Sequence, residues 1–161
     1  VITGIRAYNV VKELDAKQCF LLDFIASGKT MIVQYNTLDD LVTNQMAPFP
    51  IKISRDRVTE ENAKVTFLAP NHPIVNFPNK LTPKDFEGWK QEQGLYYPNQ
   101  WDKNFTTLFE SNDKNESPKK GALLTCTFGK GNYIYTGFSF FRELPEGVVG
   151  AYRLMANLIS Y

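Results

Sequence analysis

The chain is poor in the side chains from which nucleophilic and metal chemistry is usually built. Among 161 residues there are two cysteines and one histidine. A catalytic triad needs a nucleophile, a histidine base and a carboxylate that orients it. A zinc site commonly draws on several His or Cys ligands. His72, Cys19 and Cys126 lie in unrelated parts of the chain and make neither, so no metal and no cofactor is expected. No serine sits in a G-x-S-x-G turn. Two cysteines are also too few for a disulfide framework, and both are expected as buried free thiols, which leaves the redox compartment open. Charge of one sign is missing too: 18 basic residues face 17 acidic ones for a net charge of +1. That balance sets up no field for nucleic acid. There is no apolar run of about 18 residues, no signal peptide and no lipidation motif, so no membrane segment is expected. The chain opens on Val1-Ile2-Thr3-Gly4, which reads as the middle of a strand, and a piece of a longer protein is the expectation.

What remains suits one α/β domain over residues 1–161. Aromatic residues make up 14%, with 12 Phe and 8 Tyr, enough to fill a core and leave rings for a surface site. Val1–Ile5 reads as a strand. Asp15–Ser27 has helical spacing, with Cys19, Phe20, Leu21, Leu22, Phe24, Ile25 and Ala26 on a wide apolar face and Gly28 as its stop. Met31–Tyr35 is the next strand. Strand, helix and strand in that span predict a βαβ unit with parallel pairing and a right-handed crossover. Leu38–Pro50 reads as a loop with a helical turn near Leu38–Val42. Short strands are predicted at Lys64–Leu68, Gly94–Tyr97 and Phe105–Glu110. Thr82-Pro83-Lys84-Asp85 has the signature of a helix start, with Gly88 ending it. Ala122–Phe128 and Asn132–Phe138 flank Gly129-Lys130-Gly131 as a hairpin. Gly147–Ser160 is an amphipathic helix.

In α/β sheets ligands gather where parallel strands end. After the first strand come Arg6, Tyr8 and Asn9; after the second come Gln34, Tyr35, Asn36 and Thr37. They bring donors, acceptors and an aromatic face to one sheet edge, which suits a hydroxyl-rich ligand; Asn9 and Asn36 equally suit turn or helix capping. His72 fits loop hydrogen bonding or ligand contact. Arg55-Asp56-Arg57 fits a salt-bridged surface or a guanidinium grip on carboxylate or phosphate. Asp85 complements a helix N-terminus. Trp89, Tyr96, Tyr97 and Trp101 are candidates for core packing or for stacking on a sugar face. Phe140-Phe141 is expected to wedge its loop onto the core while Arg142, beside Glu143, faces the cleft.

Four strings are less generic: Gly4-Ile5-Arg6-Ala7-Tyr8-Asn9, Ser54-Arg55-Asp56-Arg57-Val58-Thr59, Asp85-Phe86-Glu87-Gly88-Trp89 and Phe140-Phe141-Arg142-Glu143-Leu144-Pro145. With Gln34-Tyr35-Asn36-Thr37 and His72-Pro73 between them, their order resembles the C-terminal region of large bacterial PIG-L/LmbE-type deacetylase proteins, over nearly the whole chain. The resemblance implies a class I glutamine-amidotransferase-like, flavodoxin-like domain: a three-layer sandwich with a mainly parallel central sheet. It implies a zinc-dependent N-acetyl-sugar deacetylase in a separate N-terminal domain of the parent chain, and export to the periplasm or beyond. Catalytic members of the amidotransferase-like fold use a Cys-His-Glu triad with Cys on a strand-turn-helix elbow. Here that elbow falls at Tyr35-Asn36-Thr37 and carries no thiol. The deacetylase's His-Pro-Asp-Asp-type string is also missing, because His72-Pro73 runs on into Ile74-Val75.

The reading is therefore a non-catalytic accessory domain, a pseudoenzyme that binds carbohydrate or packs on the parent's catalytic domain. Its candidate ligand residues are Arg6, Tyr8, Asn9, Gln34, Tyr35, Asn36, His72, Trp89, Arg142 and Glu143. One alternative is a degenerate hydrolase using His72 with Asp85 or Glu87. The other is a pure protein-interaction module.

Overall fold

The computed structural model describes residues 1–161. In chain order the elements are β1 (Ile2–Thr3), α1 (Ala7–Val10), α2 (Glu13–Ala26), β2 (Thr30–Gln34), β3 (Ile51–Val58) and β4 (Thr66–Phe67). There follow α3 (Pro73–Asn76), a 3₁₀ turn (Pro83–Phe86), β5 (Gly94–Trp101), β6 (Thr106–Thr107) and β7 (Phe109–Glu110). The chain closes with β8 (Leu123–Phe128), β9 (Gly131–Thr136), α4 (Phe140–Glu143) and α5 (Val149–Ser160).

Met31-Ile32-Val33 in β2 is a continuous apolar run, the pattern of a strand buried on both faces. Successive strand side chains point to opposite faces. Ile32 enters one apolar cluster with Leu123, Ile134, Trp89, Phe138 and, from α5, Leu154 and Leu158. Met31 and Val33 enter a second cluster with Tyr8, Ile25, Leu124, Tyr133 and Tyr135. Helix α5 thus lies against one face of the sheet and α1–α2 against the other.

The central sheet has the order β1-β2-β9-β8-β6. The predicted βαβ unit is present: β1 runs parallel to β2, with Ile2 opposite Ile32. β2 runs parallel to β9, with Ile32 opposite Ile134. β8 is antiparallel to both β9 and β6, so four of the five strands share one direction and the β8–β9 hairpin supplies the exception. Gly129 takes φ +60 at the first position of the two-residue turn, as the primed hairpin turns require. Gly131 is needed for a different reason: a Cβ there would overlap the carbonyl oxygens of Ile25 and Lys29, where β9 meets the end of α2.

Several expectations are corrected. The first strand stops at Thr3, because the chain turns at Gly4 and Arg6 takes a left-handed φ of 57°. Residues 38–42 form no helix. Phe105–Glu110 is two strands, not one. β6 pairs with β8, the chain shifts at buried Leu108, and β7 pairs with β4. Ser54–Thr59 belongs largely to a strand that the sequence reading did not assign, β3, which forms a two-stranded ribbon with β5. Cys19 is exposed, since α2 turns Gln18 and Ile25 inward; only Cys126 is a buried thiol.

Between β2 and β8 lies a long excursion that includes the β3–β5 ribbon. Its docking point is the carboxyl edge of the parallel strands. The Leu95 N–H donates to the Gly137 carbonyl just past β9 (2.9 Å), and Tyr96 stacks on Tyr35 just past β2.

Candidate functional site

The edge where β2 and β9 end is walled by three aromatic rings in a row. Tyr35 lies between Tyr96, stacked at 6.0 Å and 10° between planes, and Phe141, tilted at 5.4 Å. Each ring comes from a different segment: the end of β2, the β5 strand and α4. Tyr96 holds a positive φ of 52°, which costs a non-glycine residue about 1–2 kcal/mol. A buried hydroxyl supports it. Tyr135 Oη donates to the Tyr96 carbonyl (3.0 Å) and accepts from the Asn36 N–H (3.4 Å). The tyrosine in β9 thereby ties the ends of two strands to the ring that faces outward.

Arg142 completes the wall. Its guanidinium lies 4.8 Å from the centre of the Phe141 ring, within cation–π range. It pairs with Glu92 (Nε–Oε1 and Nη2–Oε1, both 3.1 Å) and donates to Gln91 Oε1. On the other side of Tyr35, the Arg6 N–H donates to the Tyr35 carbonyl (2.8 Å). Burial pushes the Tyr35 phenol above its ordinary range, while the charges of Arg6 and Arg142 pull it back down.

Two clefts flank the aromatic row. The larger, about 450 Å³, is lined by Glu61, Lys90, Gln91, Phe141, Arg142, Pro145 and Glu146. The other, about 350 Å³, is lined by Arg55, Arg57, Glu92, Leu95 and Tyr96. The Arg142–Glu92 pair forms the partition between them, with one partner on each side.

Of the ten candidate residues, Arg6, Tyr35 and Arg142 gather here. The others do different work. Tyr8 is fully buried. Its hydroxyl donates to Gln18 Oε1 (2.8 Å), and burial pushes it up to about 12. Asn36 is fully buried and accepts from the Tyr8 N–H while donating to the Gln34 carbonyl. Asn9 spans to the second loop, donating to the carbonyls of Thr37 and Asp39 and accepting from the Thr37 N–H. Gln34 donates to the Thr3 carbonyl (3.1 Å). The three amides fasten backbone that would otherwise be unpaired, which is the turn-capping alternative, and the Tyr8 phenol bonds a side chain in the core.

Trp89 is fully buried among Phe86, Phe138 and Phe140, its indole N–H donating to the Asp85 carbonyl (2.9 Å). Glu143 is also fully buried. Its carboxylate accepts from the Lys90 N–H (3.0 and 3.2 Å) and from Ser139 Oγ (3.2 Å), so it underpins the larger cleft from below. Burial raises its pKa, against the pull of those hydrogen bonds.

His72 lies at the opposite end of the sheet. It caps α3, with Nδ1 accepting from the Ile74 N–H (3.2 Å), and its ring meets Tyr161, whose carbonyl accepts from Asn132 at the start of β9. Burial lowers its pKa. Asp85 is committed elsewhere: it forms a capping box with Thr82 and an ion pair with Arg153 (2.6 Å). Cys126 is buried and its thiol is pushed up to about 12 by burial and the charge of Asp102, so it stays protonated at neutral pH. Gln91, Glu92 and Lys90 carry no signal in the sequence that would single them out; they reach the site only because β5 folds back onto the end of β9.

No protein-family model and no curated protein sequence matches the chain. Solved structures do resemble it. The cytoplasmic protein STM1381 from Salmonella typhimurium LT2 superposes with a TM-score of 0.61 at 13% identity, covering 99% of this chain and 69% of that one. The cytoplasmic protein STM3548 from Salmonella typhimurium gives 0.60 at 11% identity with the same coverage. A cold-adapted β-galactosidase from Rahnella sp. R3 gives 0.51 at 14% identity, over 99% of this chain and 22% of the enzyme. At such low identity the likeness speaks for the fold: a mixed α/β domain whose central sheet is mainly parallel.

Proposed function

We propose that this chain is a non-catalytic, class I glutamine-amidotransferase-like domain that binds carbohydrate at the carboxyl edge of its sheet, as an accessory to a PIG-L/LmbE-type deacetylase-like parent. The observation that carries the binding role is the Tyr96–Tyr35–Phe141 row beside the Arg142, Glu92 and Gln91 side chains. Sugars offer an apolar face to aromatic rings and hydroxyls to planar, multiply bonding side chains. Tyr35 is the buried middle of the row, while half-buried Tyr96 and Phe141 and the polar side chains line clefts of monosaccharide to disaccharide scale.

The hydrolase alternative finds no support in the geometry. His72 hydrogen-bonds to backbone and not to a carboxylate, and Asp85 is held by Thr82 and Arg153. Calorimetric titration of the domain with N-acetylated glycans and simple sugars tests the proposal. Saturable binding lost in Tyr96→Ala and Arg142→Ala is the expected result; no binding by any sugar would sink it. Packing on the parent's catalytic domain is favoured by a separate observation, the exposed Val149, Tyr152 and Ile159 of α5. Co-purification of separately expressed halves tests that role.

A further inference from the structure

We infer that the ligand of the smaller cleft is an anionic sugar, held by Arg57 and Arg55 through its acid group while Tyr96 takes the sugar face. This rests on the carbohydrate reading above and names the ligand class. Charge bookkeeping within the cleft carries it. Of the three charged lining residues, Glu92 is already matched by Arg142 across the partition at 3.1 Å. Arg55 is paired with Asp39 at 3.1 Å, but both partners are largely exposed, at 73% and 61%, and such a pair is worth little and exchanges readily. Arg57 has no ion pair and no side-chain hydrogen bond within the fold. The carboxylate whose charge interacts with it, Asp113, is committed to the backbone N–H groups of Thr59 and Glu60 and to the Thr59 hydroxyl.

The cleft therefore offers a free guanidinium, a second one easily released and an aromatic ring, with its single carboxylate neutralised from outside. A guanidinium meets a carboxylate or phosphate through two parallel N–H···O bonds. Arg55 and Arg57 both line this cleft although the register of β3 is irregular around them, so both can reach one anionic group. A uronic acid and a sugar phosphate share this chemistry.

The test is calorimetric titration with glucuronate, glucose 6-phosphate and glucose at low and at raised salt. At least one anionic sugar is expected to bind more than tenfold tighter than glucose, a gap of about 1.4 kcal/mol or more, and to weaken with salt. Which of the two binds identifies the acid group. Arg57→Gln is expected to bring its affinity down to that of glucose, while Arg57→Lys keeps part of the preference; neither is expected to move the denaturation midpoint, because Arg57 is exposed. Equal binding of glucose and both anionic sugars would overturn this inference and leave the carbohydrate reading standing. Absence of binding by all three, together with failure of the wider sugar panel, would overturn both. An unchanged preference in Arg57→Gln would also overturn the assignment.

Discussion

Tyr135→Phe removes one oxygen from the interior and reports on whether the site is held as described. The hydroxyl is fully buried, donates to the Tyr96 carbonyl at 3.0 Å and accepts from the Asn36 N–H at 3.4 Å. Its loss leaves both backbone groups without that partner, and an unsatisfied buried group costs about 1–3 kcal/mol. The Asn36 bond is long, and the Tyr96 carbonyl is only part-buried, so the sum belongs near the lower end, about 2 kcal/mol. For a domain of this length that lowers the thermal midpoint by about 4–8 °C. The effect does not stop at stability. The Tyr96 backbone sits at φ +52°, and the bond from Tyr135 helps hold it there. Once freed, residue 96 relaxes toward an ordinary strand conformation and its ring leaves Tyr35. Sugar affinity is then expected to fall several-fold more than Tyr96→Phe would cause. Equilibrium denaturation and calorimetric titration read the two effects. Tyr133→Phe is the control. Tyr133 is equally buried in β9, but its hydroxyl has no hydrogen-bond partner, so its removal is expected to be neutral or stabilising. If the two variants behaved alike, or if Tyr135→Phe lost stability with no loss of affinity, the positioning argument would be wrong.

Asn157→Ala is expected to destabilise by about 3 kcal/mol. The fully buried amide donates to the carbonyls of Ile74 and Asn79 and accepts from the Asn79 N–H, and a urea midpoint shift at unchanged slope is the readout. His72 is the sole histidine, so its imidazole proton resonances are unambiguous; they should titrate below the ordinary value of about 6.5. Because burial depresses that pKa, the stability it contributes is present above the ordinary value and is lost as pH falls from there through the lowered one. Asp113 has the same sign at lower pH. Burial raises it, but hydrogen bonds from Glu60 and Thr59 hold it below the carboxylate range overall. Its contribution is therefore lost as pH drops below about 4, and Asp113→Asn should flatten the acid limb of the stability profile. Gly131→Ala should prevent β9 from seating against α2, seen as loss of soluble folded protein, because its Cβ meets two carbonyl oxygens.

Local pattern made much of the framework legible. The apolar run Met31–Val33, the spacing of α2 and α5 and the glycine turn at 129–131 each state a local preference, and the βαβ unit and hairpin follow from them. Strand β3 escaped because its outward residues, Lys52, Arg55 and Arg57, break the run of apolar ones, and its pairing with β5 is interrupted by irregular register at three points. The site was half legible. Polar and aromatic residues after strands β1 and β2 pointed to one sheet edge, and Arg6, Tyr35 and Arg142 gather at that edge. Residue type alone did not distinguish an amide that binds a ligand from one that fastens a loop. Asn9, Gln34 and Asn36 have the chemistry of either, and only the fold shows that they fasten backbone 28 to 31 residues away in three of these bonds.

The chain by itself determined an α/β domain with a buried parallel strand and no thiol at that strand's end, because periodicity and residue chemistry are local properties. Which rings face solvent, which carboxylate neutralises which arginine, and that His72 lies at the far end of the sheet were decided by tertiary structure. These depend on the excursion between β2 and β8 folding back onto the sheet edge, and such long-range placement leaves no mark in the spacing of neighbouring residues.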